Sequence, residues 1–178
     1  MRIISGKYKG KRLIAPKNLP VRPTADMQKE ALFNILDNQY YFENLKILDL
    51  FSGTGNIAYE FASRGTNDIT AVDSHYACVK YIDRINKELG FTITSIKSDV
   101  FQYLKRTPQQ FDIIFADPPY DFSKEKFKEI HELVFERNLL TVEKGLLIIE
   151  HSSKTDLSDL KHFINSRKYG GSHFSFFE

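Results

Sequence analysis

The chain has 178 residues, 42% of them hydrophobic, which suits one domain around a single core. No apolar run approaches the length of a membrane span, Cys78 stands alone so that no internal disulfide can form, and the five histidines are scattered without zinc-ligand spacing. The net charge is only +2, yet residues 1–22 hold seven of the 25 basic residues and no acid, leaving 18 basic residues against 23 acids in the remainder. A basic arm on an acidic body points to an anionic partner met at one end; an ordinary solvated hairpin is the alternative. Lys7 and Lys9 come too early for a signal peptide, so a reducing, cytoplasmic setting is expected.

In chain order, Ile3-Ile4 and Arg12-Leu13-Ile14 flank a Gly/Lys turn and read as a small hairpin. Pro16, Pro20 and Pro23 keep the next stretch extended. Thr24 or Asp26 is placed to cap a helix with Ala31, Leu32, Ile35 and Leu36 on its apolar face. A regular alternation follows. Strands are expected at 45–50, 69–72, 92–96, 111–116 and 145–150, with helices at 55–63, 75–89, 100–104 and 125–138 between them. A further helix is expected at 156–163, then two antiparallel strands, 166–169 and 173–177, joined at Gly170-Gly171. The pattern predicts an α/β, Rossmann-like fold: a mostly parallel seven-stranded sheet, helices on both faces and an antiparallel C-terminal edge. Two units are expected, a basic hairpin arm over 1–23 and the α/β domain over 24–178.

In an open parallel sheet, ligands sit beyond the carboxyl ends of the strands. Asp49, Asp73, Asp99 and Asp117 each fall at or just after a predicted strand end, so all four are expected along one edge. Gly53-Thr54-Gly55-Asn56-Ile57-Ala58 has the G-x-G-x-x-A spacing, and Asp73 follows Gly55 by 18 residues, which also fits a dinucleotide fingerprint. The glycines let backbone approach a ligand, and Asp73 suits a ribose diol. Asp49, just before the turn, would repel a pyrophosphate and attract a methionine ammonium or sulfonium. Asp99 suits an adenine amino group, with Val100 offering a backbone N–H; its plainer reading is a helix cap.

Asp117-Pro118-Pro119-Tyr120 closes the apolar run 111–116. An exocyclic amine on a nucleobase is a poor nucleophile because its lone pair is delocalised into the ring. Asp117 can accept one amine hydrogen and the Pro118 carbonyl the other, stabilising positive charge that develops on nitrogen. Pro118 and Pro119 hold the loop extended, and Tyr120 offers a face on which a base stacks. A rigid turn capped by an aspartate is the bland reading of the same four residues.

Taken together, these motifs look like those of a class I S-adenosylmethionine-dependent methyltransferase. Over essentially its whole length the chain resembles the RsmD family of 16S rRNA guanine-N2 methyltransferases. The narrower signature is the opening Arg2-Ile3-Ile4-Ser5-Gly6-Lys7-Tyr8-Lys9-Gly10, then Val21-Arg22-Pro23-Thr24-Ala25-Asp26, Glu30-Ala31-Leu32-Phe33-Asn34 and Arg167-Lys168-Tyr169-Gly170. The resemblance implies S-adenosylmethionine as cofactor, with Thr24, Phe51, Ser52 and Ser74 joining Asp49, Gly53, Gly55, Asp73, Asp99, Val100 and Asp117 around it, and no metal. It implies methylation of one guanine in 16S rRNA within an assembling small subunit, and closure of the Arg22-Pro23-Thr24 region over cofactor or substrate. Lys7, Lys9, Lys11, Arg12 and Arg22 then become phosphate contacts, while RNA shape and an extruded base supply selectivity. The chain departs from the family at Met27-Gln28-Lys29, where members often carry more basic residues. A monomer is expected.

Three other readings compete. A DNA adenine-N6 amino-methyltransferase shares Asp-Pro-Pro-Tyr but usually needs more chain to read a site. A nicotinamide-dependent oxidoreductase leaves Asp117 without a role. A non-catalytic RNA-binding module has no need of all four acids.

Overall fold

The computed structural model describes residues 1–16, Leu19 and residues 26–178. β1 (Lys46–Leu50), β2 (Asp68–Asp73), β3 (Ile93–Lys97), β4 (Ile113–Ala116) and β5 (Leu146–Ser152) run parallel. β6 (Phe163–Tyr169) and β7 (Ser172–Phe177) form an antiparallel edge, with β7 paired to β5. The seven strands lie in the order β3-β2-β1-β4-β5-β7-β6. This is the mostly parallel sheet with an antiparallel C-terminal edge that the alternation predicts. The order reverses between β1 and β4, the switch point where such sheets open a crevice.

The central strands are buried on both faces, and their side chains alternate between two cores. Along β1, Ile47 enters the first core and Leu48 and Leu50 the second. The first core is closed by α1 (Asp26–Leu36), α2 (Asn56–Ser63) and α3 (Tyr76–Leu89); the second by α4 (Val100–Arg106) and α5 (Lys124–Glu136). Among the described residues no helix is long and apolar enough to cross a membrane.

The N-terminal segment lies on the first face. Arg2 pairs antiparallel with Arg12, and Ile3 and Leu13 are buried in the first core. Gly6 turns the chain at a φ of +79°, and a Cβ there would stand 1.8 Å from the Ser63 carbonyl oxygen. Only glycine allows that approach. Glu60 of α2, wholly buried, accepts from the N–H groups of Ile4 and Ser5 at 2.8 and 3.0 Å. Lys29 of α1, also wholly buried, pairs with Glu60 at 3.2 Å and donates to the Arg2 carbonyl and Asn56 Oδ1, both at 2.7 Å. Arg64 completes the network through Glu60 at 3.0 Å and Asp37 at 2.7 Å. Lys29, part of the departure from the family pattern, is therefore a buried structural cation rather than a surface charge. Burial holds its pKa below the usual lysine range, against the pull of Glu60.

One expected element is absent. Residues 156–163 form turns instead of a helix. Asp156 Oδ1 accepts from the Ser158 N–H at 2.9 Å, an Asx turn that diverts the backbone. His162 adopts a φ of 62°, and Phe163 is already the first residue of β6. Leu157 is the only buried side chain of the stretch, so no apolar face rewards a helix there.

Candidate active site

A cavity of about 510 Å³ opens at the carboxyl ends of the parallel strands. Asp49, Asp73, Asp99 and Asp117 all line it, so the strand-tip placement brings the four acids together as expected. Phe51, Ser52, Gly53, Ser74, Val100, Pro118, Pro119 and Tyr120 share the wall. Thr24 lies outside the described residues.

The turn after β1 is left-handed at Phe51 (φ 57°), Gly53 (50°) and Gly55 (78°). A phenylalanine in that region carries roughly 1–3 kcal/mol of strain. Its ring packs edge-on against Phe122, centroids 5.4 Å apart. Gly55 caps the start of α2, and a Cβ on it would stand 2.8 Å from Tyr59 Cζ and 3.0 Å from Ile82 Cγ1. Packing, not ligand approach, demands glycine here. Gly55 itself is set back from the cavity wall, where Thr54, Asn56 and Ile57 stand.

Two carboxylates clasp this turn. Asp73 Oδ2 accepts from the Gly53 N–H at 2.8 Å, while Oδ1 accepts from the His75 N–H at 2.8 Å and stands 3.2 Å from His75 Nδ1. Asp49 Oδ2 accepts from the Ala58 N–H at 3.2 Å, and the Gly55 N–H donates to the Ser52 carbonyl at 2.7 Å. A bound pyrophosphate needs free amides at the start of this helix. Gly53, Gly55 and Ala58 have already committed theirs, which weighs against the dinucleotide reading.

The cavity favours positive charge. Asp49 is buried, and no cation pairs with it among the described residues. Burial, with Asp73 nearby, raises its pKa to about 8 despite the Ala58 bond. Burial, then Glu150 and Asp49, hold the Asp117 carboxyl well above the usual carboxylate range. A cation among these groups would relieve their mutual repulsion. Ser52 Oγ is buried without a hydrogen-bond partner among the described residues, which leaves a polar group for a ligand. Asp99 caps α4 through the Gln102 N–H at 3.0 Å, so its capping role is real and uses one oxygen. Phe101 stacks with Phe122 at 6.2 Å beside it, and Lys126 Nζ sits 4.7 Å over the Phe122 ring. Carboxylates for an ammonium, a sulfonium and a ribose diol, beside an aromatic wall for a purine, fit S-adenosylmethionine.

The sequence does not single out His75, Phe101, Phe115, Phe122 or Lys126, all of which line the cavity. Phe101 and Phe122 adjoin Val100 and the Asp-Pro-Pro-Tyr motif, and that adjacency is the signal that finds them. Lys126 sits on a charged helix where no spacing marks it.

Asp117 follows β4 directly, its N–H 3.4 Å from the Leu50 carbonyl. Pro118 is buried, while Pro119 and Tyr120 are exposed, Tyr120 by 60%. The motif thus presents a carboxylate, a fixed carbonyl and an open aromatic face on one rim. Among the described residues no group of His, Cys, Asp or Glu is placed to hold a metal ion.

The arm's lysines stand away from this cavity. The Lys7 N–H donates to the Ser63 carbonyl at 2.7 Å, and Tyr8 Oη donates to the Leu89 carbonyl, at the far ends of α2 and α3. Lys11 pairs with Glu88 at 3.2 Å. At the other end of the hairpin, Met1 Sδ lies 3.5 Å from Thr54 Oγ1 on the cavity wall, and the Leu13 N–H donates to the Met1 carbonyl. Arg12 is therefore nearer the cavity end than Lys7, Lys9 and Lys11. Arg22 lies outside the described residues.

Comparison with known proteins agrees with this geometry. A family model described as "Conserved hypothetical protein 95" matches residues 1–178. The YlbH protein of Bacillus subtilis (strain 168) is 32% identical over 164 residues, covering 89% of this chain and 86% of its own. "Ribosomal RNA small subunit methyltransferase D" of Buchnera aphidicola subsp. Baizongia pistaciae is 33% identical over 156 residues, covering 86% of this chain and 76% of its own. A solved structure of a hypothetical protein from Thermus thermophilus superposes with a TM-score of 0.84 at 24% identity, covering 100% of this chain and 99% of that one, and supports the fold. With every residue spanned by that family model, the chain belongs to the Conserved hypothetical protein 95 family, the RsmD family to which its motifs point.

Proposed function

We propose that this protein transfers a methyl group from S-adenosylmethionine to the exocyclic N2 amine of a guanine in 16S rRNA, during assembly of the small subunit. The methyltransferase assignment at the level of ribosomal RNA rests on the family and on relatives named for that activity. The observation that carries the finer reading is one cavity joining Asp49, Asp73 and Asp99 to Asp117-Pro118-Pro119-Tyr120 on its rim.

When bound, S-adenosylmethionine supplies a methyl group on a positively charged sulfur. Asp49 and Asp73 line the wall that favours its cationic and ribose groups, Asp99 and Val100 the part suited to adenine. Phe51, Ser52, Gly53 and Ser74 complete that wall, with Thr24 proposed to close over it. Tyr120 stacks on the target base, a contact contributing about 1–3 kcal/mol. Asp117 accepts one hydrogen of the amine and the Pro118 carbonyl the other, so the nitrogen lone pair faces the methyl group while Pro119 keeps the loop rigid. Both acceptors gain strength as positive charge grows on nitrogen, which makes them transition-state contacts. Alignment supplies much of the remaining rate. Lys7, Lys9, Lys11, Arg12 and Arg22, on an arm over 1–23, bind rRNA phosphates; the enzyme acts as a cytoplasmic monomer.

The test is transfer of tritium from labelled S-adenosylmethionine to unmethylated small subunits, naked 16S rRNA and duplex DNA, followed by nucleoside analysis. Label in N2-methylguanosine is expected. Label in N6-methyladenine would move the enzyme to the DNA amino-methyltransferases.

A further inference from the structure

A nucleic acid is a polyanion, and the cavity that would receive its base is lined by Asp49, Asp73, Asp99 and Asp117. Phosphates flanking the target base are repelled there unless a cation stands close by. The turn that carries Lys7 and Lys9 is too far away to supply it. It meets the end of α2 opposite the cavity, eight residues of helix or about 12 Å away, and exposed charges act over only about 10 Å at about 0.1 M salt. Among the described residues, Lys126 of α5 is the only lysine or arginine on the cavity wall. Its basic neighbours are neutralised: Lys124 pairs with Asp159 at 2.9 Å, Lys128 with Glu132 at 3.5 Å, and Lys105 of α4 with Glu129 at 3.0 Å. Lys126 is exposed and forms no ion pair with a described residue, yet its Nζ is held 4.7 Å from the centre of the Phe122 ring. That ring is itself fixed by Phe51, Phe101 and Phe127, with centroids 5.4, 6.2 and 6.1 Å away. An acid partner would cancel the charge of Lys126; an aromatic face steadies it and leaves it whole.

The Phe122 N–H donates to the Pro119 carbonyl at 3.0 Å, so one tight turn joins the Asp-Pro-Pro-Tyr rim to the start of α5. Tyr120 and Lys126 stand on either side of that turn, and both line the same opening. Phe101 and Phe122 form the aromatic wall suited to adenine, an uncharged ring, so the anion that Lys126 fits is not the cofactor's. We infer that Lys126 binds a phosphate flanking the target base and holds the strand at the cavity mouth while Asp117 and Tyr120 take the base itself. This rests on the reading that a nucleic-acid base enters beside Asp117. A lysine binds phosphate as a point charge, so the contact contributes affinity and placement without reading sequence.

The test compares Lys126→Gln with Lys128→Gln, a neighbour on α5 whose charge is already paired with Glu132. Binding to unmethylated small subunits and to naked 16S rRNA is measured over a range of salt, and methyl transfer is measured beside it. Lys126→Gln should flatten the logarithmic salt slope by about 0.7–0.9, the share of one phosphate contact. It should raise the KM for small subunits about tenfold, with kcat and affinity for S-adenosylmethionine within about twofold of wild type. Lys126→Arg, which keeps the charge and still stacks on Phe122, should restore slope and KM. Lys128→Gln should change neither. An unchanged slope and KM in Lys126→Gln would overturn the inference. So would an equal loss in Lys128→Gln, which would reduce Lys126 to general surface charge, or weaker cofactor binding at constant slope, which would assign it to the cofactor wall. A flattened slope in a protein that puts no label into rRNA keeps the phosphate contact and removes the guanine reading instead.

Discussion

At the β1–β2 side of the cavity the carboxylates are already engaged, Asp73 with Gly53 and His75 and Asp49 with Ala58. At the β4 side, Asp117 carries no hydrogen bond from another described residue, and Tyr120 stands exposed. The first wall is a finished structure whose acids shape the loop before any ligand arrives. The second keeps its acceptor uncommitted, which is what a group needs if its partner is to be a substrate hydrogen. Preorganisation and availability are thus divided between two walls of the same cavity.

Asp117→Ala should break the second wall alone. Methyl transfer is expected to fall by about 10²–10³-fold, the scale for removing one transition-state contact. Affinity for S-adenosylmethionine should stay within about twofold. Single-turnover transfer and equilibrium dialysis read the two separately. Loss of both together would mean that Asp117 belongs to the cofactor wall and that the division is wrong.

Gly55→Ala attacks the first wall from behind. The new Cβ meets Tyr59 at 2.8 Å with φ at +78°. A cost of about 2 kcal/mol is expected, with a fall in Tm of roughly 4–8 °C. Cofactor affinity should fall as well, although Gly55 is set back from the cavity wall. A variant with normal Tm and normal affinity would show that the turn is not held as described.

Charge gives a smaller effect with a definite sign. Because the Asp49 pKa is raised to about 8, Asp49 is mostly protonated at pH 7 in the free protein. A cationic ligand favours its carboxylate, so binding releases a proton. Affinity should therefore rise with pH, by up to roughly tenfold per unit, and level off above pH 8. Calorimetry in buffers of different ionisation enthalpy measures the release. Asp49→Asn should diminish this release. An undiminished release in this variant would exclude Asp49 as the coupled group.

Much of this is legible in the sequence. The apolar run 45–50 and the β-branched run 92–96 carry strand character in themselves, and acids at strand tips fall on one edge by topology alone. What was hidden depends on tertiary partners. Lys29 and Glu60 look like helix surface charges, and only their pairing under the N-terminal hairpin lets them be buried. Glu150 reads as the polar end of a strand until β7 is set beside it. The 156–163 stretch has helix-compatible residues, but Asp156 spends its side chain on an Asx turn. The basic arm was legible as charge, whereas its placement depends on Gly6 fitting against Ser63.

That placement sharpens the last and smallest prediction. The turn carrying Lys7 and Lys9 meets the end of α2 opposite the cavity, about 12 Å away along eight residues of helix. If the arm binds phosphates, reversing Lys9 and Lys11 to glutamate should weaken rRNA binding and flatten its dependence on salt by about one unit of slope per lost contact. The rate at saturating rRNA should not change, because nothing in the cavity moves. Lys11→Gln separates the loss of a phosphate contact from repulsion with Glu88, whose exposed pairing with Lys11 contributes little to stability. An unaltered salt slope would take the arm off the RNA. A lower saturated rate with the slope intact would mean that the hairpin acts on the cavity through Met1 and Thr54, and that the far face of the molecule is only its support.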